Sequence, residues 1–166
     1  MSKIGIFFGS TTGITEGLSG QIAEALGVAQ ADVKNVGMAK VGDVDAYDVL
    51  ILGSSTWGAG DLQDDWYGFL DQLEAHDLSG KKIAIFGVGD SSSFADTFCN
   101  AVGTIYEKLN GKATIIGQIP TDGYSYDATS AEVDGKLVGL LLDETNESEK
   151  SSERINAWVA QLKSEI

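Results

Sequence analysis

Short apolar runs alternate with stripes of apolar residues three and four positions apart along this chain. Residues 3–9 (KIGIFFG), 47–53 (YDVLILG) and 81–87 (KKIAIFG) are nearly continuous apolar runs, each ending in glycine. Such runs suit strands buried on both faces of a parallel sheet. Ile14, Leu18, Ile22 and Leu26 then recur every four residues, the stripe of an amphipathic helix, closed by Gly27. Leu62, Trp66, Phe69, Leu70 and Leu73 predict a second helix, and Phe98, Val102, Ile105, Tyr106 and Leu109 a third. Ile155, Trp158, Val159 and Leu162 line a C-terminal helix. A further strand is expected at 113–119, and a weaker one near 32–36.

Alternating strands and helices imply an α/β fold: a parallel sheet with helices on both faces and right-handed crossovers. One segment breaks the rhythm. Residues 120–139 (PTDGYSYDATSAEVDGKLVG) are polar and turn-rich before apolar residues return at Leu140. They read as an insertion in or beside the last strand of a single domain spanning 1–166.

Composition narrows the chemistry. The 166 residues, 43% of them hydrophobic, suffice for one domain with a real core. No apolar run approaches the roughly 20 residues of a membrane span. The N-terminus lacks a signal-peptide layout, so the expected location is cytoplasmic. A single cysteine, Cys99, excludes an intramolecular disulfide and a cysteine-based zinc or iron–sulfur site. The single histidine, His76, reads as a surface residue near a helix end.

The formal charge is -14, from 25 acids against 11 bases. Such a surface repels nucleic acid and anionic membranes and steers toward basic partners. Between residues 41 and 80 stand nine acids (Asp43, Asp45, Asp48, Asp61, Asp64, Asp65, Asp71, Glu74, Asp77) and no lysine or arginine. That stretch serves either solubility or docking.

Three unusual loops follow the three strongest strands, where ligands of open α/β sheets bind. The first, Gly9-Ser10-Thr11-Thr12-Gly13-Ile14-Thr15, surrounds a helix start with hydroxyls and glycines. Unpaired N–H groups and the helix dipole attract an anion there. With no lysine or arginine in the loop, it suits a phosphate held by neutral donors. Neither the P-loop pattern nor G-x-G-x-x-G is present, and ordinary helix capping is the competing reading. The second loop, Ser54-Ser55-Thr56-Trp57-Gly58-Ala59-Gly60-Asp61, isolates a tryptophan among small residues. Trp57 either packs on the core or offers a face to a planar ring. The third, Gly87-Val88-Gly89-Asp90-Ser91-Ser92-Ser93-Phe94, presents another aromatic after a flexible turn. Together the loops describe a pocket for a ring carrying a phosphate tail.

Ser10-Thr11-Thr12-Gly13-Ile14-Thr15 resembles the flavodoxin phosphate loop T/S-x-T-G-x-T. Thr56-Trp57-Gly58-Ala59-Gly60 is similar to the first flavin-stacking loop of that family, and Gly87-Val88-Gly89-Asp90 with Phe94, Asp96 and Phe98 to the second. The segment after Pro120, and Leu142-Asp143-Glu144 with Arg154 and Trp158, resemble the long-chain form. The resemblance implies a doubly wound five-stranded parallel sheet in the order 2-1-3-4-5. It implies FMN as cofactor, with the phosphate on Ser10, Thr11, Thr12, Gly13, Ile14 and Thr15. Trp57 and Phe94 would then flank the isoalloxazine, with Thr56, Gly58, Ala59, Gly60, Gly89 and Asp90 beside them. Tyrosine is usual in the family where this chain has Phe94, and glutamine is often found where it has Cys99. Cys99 is expected beside the site, without a redox role.

The implied function is a low-potential one-electron carrier, monomeric, docking a basic-faced flavodoxin reductase and other redox enzymes on Asp61, Asp64 and Asp65. The alternative is an NAD(P)H–quinone reductase on the same fold. It would require a nicotinamide-nucleotide pocket that the purely acidic surroundings of Trp57 disfavour. A response-regulator receiver is disfavoured because Gly9-Ser10 and Gly53-Ser54 stand where it needs its acids.

Overall fold

The computed structural model describes residues 3–57 and 60–166. Its elements run β1 (Ile4–Gly9), α1 (Ile14–Leu26), β2 (Val33–Asn35), β3 (Val49–Trp57), β4 (Asp61–Leu62), α2 (Trp66–Ala75), β5 (Lys82–Val88) and α3 (Asn100–Leu109). Then follow β6 (Thr114–Ile116), β7 (Ile119–Pro120), β8 (Glu132–Val133), β9 (Lys136–Leu137), β10 (Leu140–Leu142) and α4 (Ser148–Glu165). The main sheet has the order β2-β1-β3-β5-β10, with these strands parallel. This is the expected doubly wound 2-1-3-4-5 arrangement.

The central strands are largely apolar because both sheet faces are covered. On one face Ile6, Ile51, Ala84, Phe86, Leu140 and Leu142 pack against Leu18 and Ile22 of α1 and Ile155, Trp158 and Leu162 of α4. On the other, Phe7, Leu50, Leu52, Ile83, Ile85 and Leu141 meet α2 and α3 through Trp66, Phe69, Leu73, Val102 and Ile105. Successive strand residues point to opposite faces, so the inner strands β1, β3 and β5 carry mainly apolar side chains up to the end where their loops begin.

The fifth strand is split. β6 pairs with Lys82–Ala84 of β5 and β10 with Phe86–Val88, so two short strands share one edge. The expected strand at 113–119 ends at Ile116, since Gly117 turns to φ 78° and its carbonyl accepts the Trp158 indole N–H at 2.8 Å. The segment between β6 and β10 carries a small antiparallel sheet, β7-β9-β8. Tyr124 returns it to the main sheet by donating to the Leu141 carbonyl at 2.7 Å.

Two helix starts differ from expectation. Leu62 belongs to β4, antiparallel to the end of β3, and α2 begins at Trp66. Phe98 precedes α3, because Cys99 at φ 49° breaks the chain just before Asn100. Both residues are buried in the α2/α3 core, so each fits an apolar stripe without being helical.

β10 delivers one charged group to the site end of the sheet. Asp143 is fully buried. Its carboxylate accepts from Ser91 N–H and Oγ, from the N–H groups of Thr145 and Asn146, and from the Asn146 side-chain amide. Burial pushes the Asp143 carboxyl up, but the bonds from Ser91 and Asn146 outweigh it and hold the group below its ordinary value of 3.8. A lowered value means stability that is complete above pH 3.8 and lost as pH falls through the folded-state value. Asp143→Asn should therefore cost about 1–3 kcal/mol at pH 7, where an amide faces stranded donors. Urea unfolding from pH 7 down to pH 3 should show the gap to wild type shrinking at the acid end.

Candidate functional site

The site is set by strand register. Gly9 pairs with Ser54, Ser54 with Gly87, and Gly87 with Leu141, so β1, β3 and β5 release their loops at the same end of the sheet. The chain order reverses between β1 and β3, the switch point where open α/β sheets bind ligands.

At the first loop, Gly13 is the residue preceding α1 and sits at φ 89°. No side chain caps the helix. Ser10 Oγ accepts instead from the Gly13 N–H at 3.0 Å, ahead of the first turn. The N–H groups of Ile14, Thr15 and Glu16 have no intrahelical acceptor, as for any helix start. Thr15 is 1% exposed and its Oγ1 is buried without a hydrogen-bond partner. Thr11, Thr12, Gly13 and Ile14 are exposed.

Trp57 closes β3, 41% exposed, with its indole N–H donating to Ser55 Oγ at 2.8 Å. It is therefore not a core residue. The Gly60 N–H returns to the Trp57 carbonyl at 3.1 Å, with Gly60 at φ 101°. Gly58 and Ala59 lie outside the described residues. Thr56 Oγ1 accepts from Ala101 N–H at 3.3 Å and so anchors the start of α3. A cavity of about 250 Å³ is lined by Thr11, Trp57 and Asp64, which brings the first two loops together. A larger pocket of about 770 Å³ lies beside α1 and β2, lined by Phe8, Glu24, Val28 and Met38 among others, away from Trp57.

The third loop is built around Asp90. Its Oδ1 accepts from the N–H groups of Ser92 and Ser93 and from the Asn146 amide, while its carbonyl accepts from Phe94 N–H. These bonds, led by that from Ser93, hold the Asp90 carboxyl below its ordinary value. Gly89 donates to the Leu142 carbonyl at 3.0 Å. Phe94 stands out from the loop, 44% exposed. A Cβ at Gly89 would press on Cys99. Cys99 is fully buried there, and burial raises its thiol far above the ordinary value. His76 ends α2, half-buried, 2.7 Å from Asp45.

Three positioning residues are not among the site residues expected from the sequence, although Asp143 lies in the Leu142-Asp143-Glu144 pattern. Asp143 and Asn146 hold the third loop to β10, and Gln63 bonds to Thr11 across the first two loops. In the sequence Gln63 is a glutamine following Leu62, and only the structure shows it to be buried.

The family model described as flavodoxin matches residues 6–158. The chain is 48% identical to a flavodoxin of Picosynechococcus sp., over 98% of this chain and 97% of that protein. It is 43% identical to flavodoxin 1 of Azotobacter vinelandii, over 100% and 98%. The solved structure of Fusobacterium nucleatum flavodoxin bound to flavin mononucleotide superposes with a TM-score of 0.91 at 31% identity, covering 100% of this chain and 99% of that one. The fold, the strand-end loops and the similarity along the whole length agree, and the chain belongs to the flavodoxin family.

Proposed function

We propose that this protein is a one-electron carrier holding one non-covalent FMN across the three strand-end loops. The observation that carries the reading is the start of α1. Four hydroxyl residues surround it, yet no side chain caps it, and Thr15 Oγ1 is buried without a partner. Leaving such a group unsatisfied costs about 1–3 kcal/mol, and a phosphate oxygen offers the missing acceptor. Ser10, Thr11, Thr12, Gly13, Ile14 and Thr15 would hold that phosphate by neutral donors and the helix dipole. Flavodoxins are themselves a standing example of ligand binding at the β1/β3 switch point.

Trp57 and Phe94 would stack on the ring, with Thr56, Gly58, Ala59, Gly60, Gly89 and Asp90 lining its edge. Bound FMN supplies the one-electron chemistry. The protein orients it, excludes water from it and surrounds it with negative charge. At roughly 8 Å and an effective dielectric of about 20, two unit charges interact by about 2 kcal/mol before screening. Several acids therefore bias the cofactor against gaining negative charge.

Flavodoxins act with redox partners. For this chain the docking surface is the acidic rim at Asp61, Asp64 and Asp65, all exposed and facing no lysine or arginine of their own segment. Its partners are a basic-faced flavodoxin reductase and other redox enzymes. The protein acts as a monomeric single domain in the cytoplasm, with residues 120–139 inserted in its last strand. Among the described residues no helix is long and apolar enough to cross a membrane. The similarity to flavodoxins does not favour a quinone reductase.

The purified protein should show flavin absorption bands, or take up one FMN per chain after reconstitution. A colourless protein that ignores FMN would overturn the reading. Thr15→Val should leave the apoprotein at least as stable, since the orphaned hydroxyl becomes a methyl, and should weaken FMN binding roughly tenfold or more. Fluorescence titration and thermal unfolding separate the two effects. Reduction by a basic reductase should slow steeply with ionic strength. The salt slope should flatten in Asp61→Asn/Asp64→Asn, measured by stopped flow.

A further inference from the structure

Gln63 is 2% exposed, and its side chain crosses from the second loop to the first. The orientation of its amide follows from its partners. Oε1 accepts from the backbone N–H of Asp65 at 3.0 Å, a group that can only donate. Nε2 therefore faces the other way, donating to Asp65 Oδ2 at 3.0 Å and to Thr11 Oγ1 at 3.1 Å. The Gln63 backbone N–H donates to Ser54 Oγ at 3.2 Å, fixing the residue to β3. Gly9 completes the arrangement. A Cβ there would overlap Gln63 Oε1 and the Trp66 indole, so only glycine lets the amide lie across the end of β1.

A hydroxyl has one proton to donate and two lone pairs that accept. With Gln63 as donor, Thr11 Oγ1 is the acceptor of this bond, and its own proton has to point elsewhere. Thr11 is exposed on the wall of the cavity it shares with Trp57 and Asp64. We propose that Gln63 is a positioning residue that aims the Thr11 hydroxyl proton at the cofactor phosphate, and so sets the preference for phosphorylated over unphosphorylated flavin. The proposal rests on the phosphate lying at residues 10–15. A purely structural role would weaken every flavin alike; aiming a phosphate donor weakens FMN selectively.

The experiment titrates apoprotein with FMN and with riboflavin, by quenching of flavin fluorescence, for wild type, Gln63→Met, Thr11→Val and the double variant. Thermal unfolding of each apoprotein reports folding separately. Gln63→Met should weaken FMN binding about threefold to tenfold and riboflavin binding by less than about twofold. The ratio of the two affinities should fall in Thr11→Val as well, and adding Gln63→Met to Thr11→Val should leave that ratio unchanged. Equal losses for both flavins in Gln63→Met overturn the proposal, as does an undiminished effect in the Thr11→Val background. If Gln63→Met does not fold, Gln63→Glu replaces it. Comparing Gln63→Glu with and without Thr11→Val then removes the contribution of its added charge. Wild-type apoprotein that binds no FMN overturns the functional reading itself; wild type that binds FMN, with no selective loss in the variants, overturns only the role of Gln63.

Discussion

The site depends on one geometric constraint: parallel strands in fixed register. Gly9, Ser54, Gly87 and Leu141 lie side by side across the sheet. Parallel pairing makes every strand point the same way, so the loops that follow β1, β3 and β5 emerge together. The crossover helices pack both faces and seal them, which leaves the strand ends as the place where polar chemistry meets a rigid frame. The small residues in that row matter as well. Gly9 admits Gln63 and Trp66, while a side chain at Gly87 would collide with Val102.

Rigid strands alone do not hold polar loops in place. Polar ties do so here, those of Asp143 and Gln63 from buried side chains. Asp143 and Asn146 fasten the third loop to β10, Gln63 fastens the second to the first, and Thr56 fastens the start of α3 to β3. Each tie is satisfied, which is what makes a buried polar group specify one geometry rather than cost stability. Asp143 is the clearest instance. It is a fully buried carboxylate with no basic residue among its hydrogen-bond partners, held in its charged form by donors from three residues.

A protein of net charge -14 that binds a phosphate presents an electrostatic tension. The chain resolves it by scale. Backbone N–H groups and hydroxyls act within hydrogen-bonding distance, where directed dipoles dominate. On the proposed function, the surplus of acids acts at longer range, on approaching partners and on the energy of adding electrons. The uncapped start of α1 and the acidic rim near Trp57 are thus compatible features of one carrier.

The strands and most helices were legible because burial on two faces, or on one helical stripe, leaves a direct trace in residue order. Ile14–Leu26 appears at its full length, and the fifth strand was readable on both sides of the polar segment 120–139. Leu62 and Phe98 were not readable as non-helical, since burial beside a helix looks like burial on one. Nor was the end of β6, which depends on the Trp158 indole reaching Gly117 from α4. Local sequence left two readings of the first loop, caps or anion donors, and two of Trp57, core or exposed face. Only the tertiary structure shows that no side chain caps α1 and that Trp57 is exposed, because a hydroxyl has no fixed partner until distant strands and helices have placed its neighbours. The same holds for Gln63: sequence marks a glutamine, but only the packed sheet places its amide against Thr11.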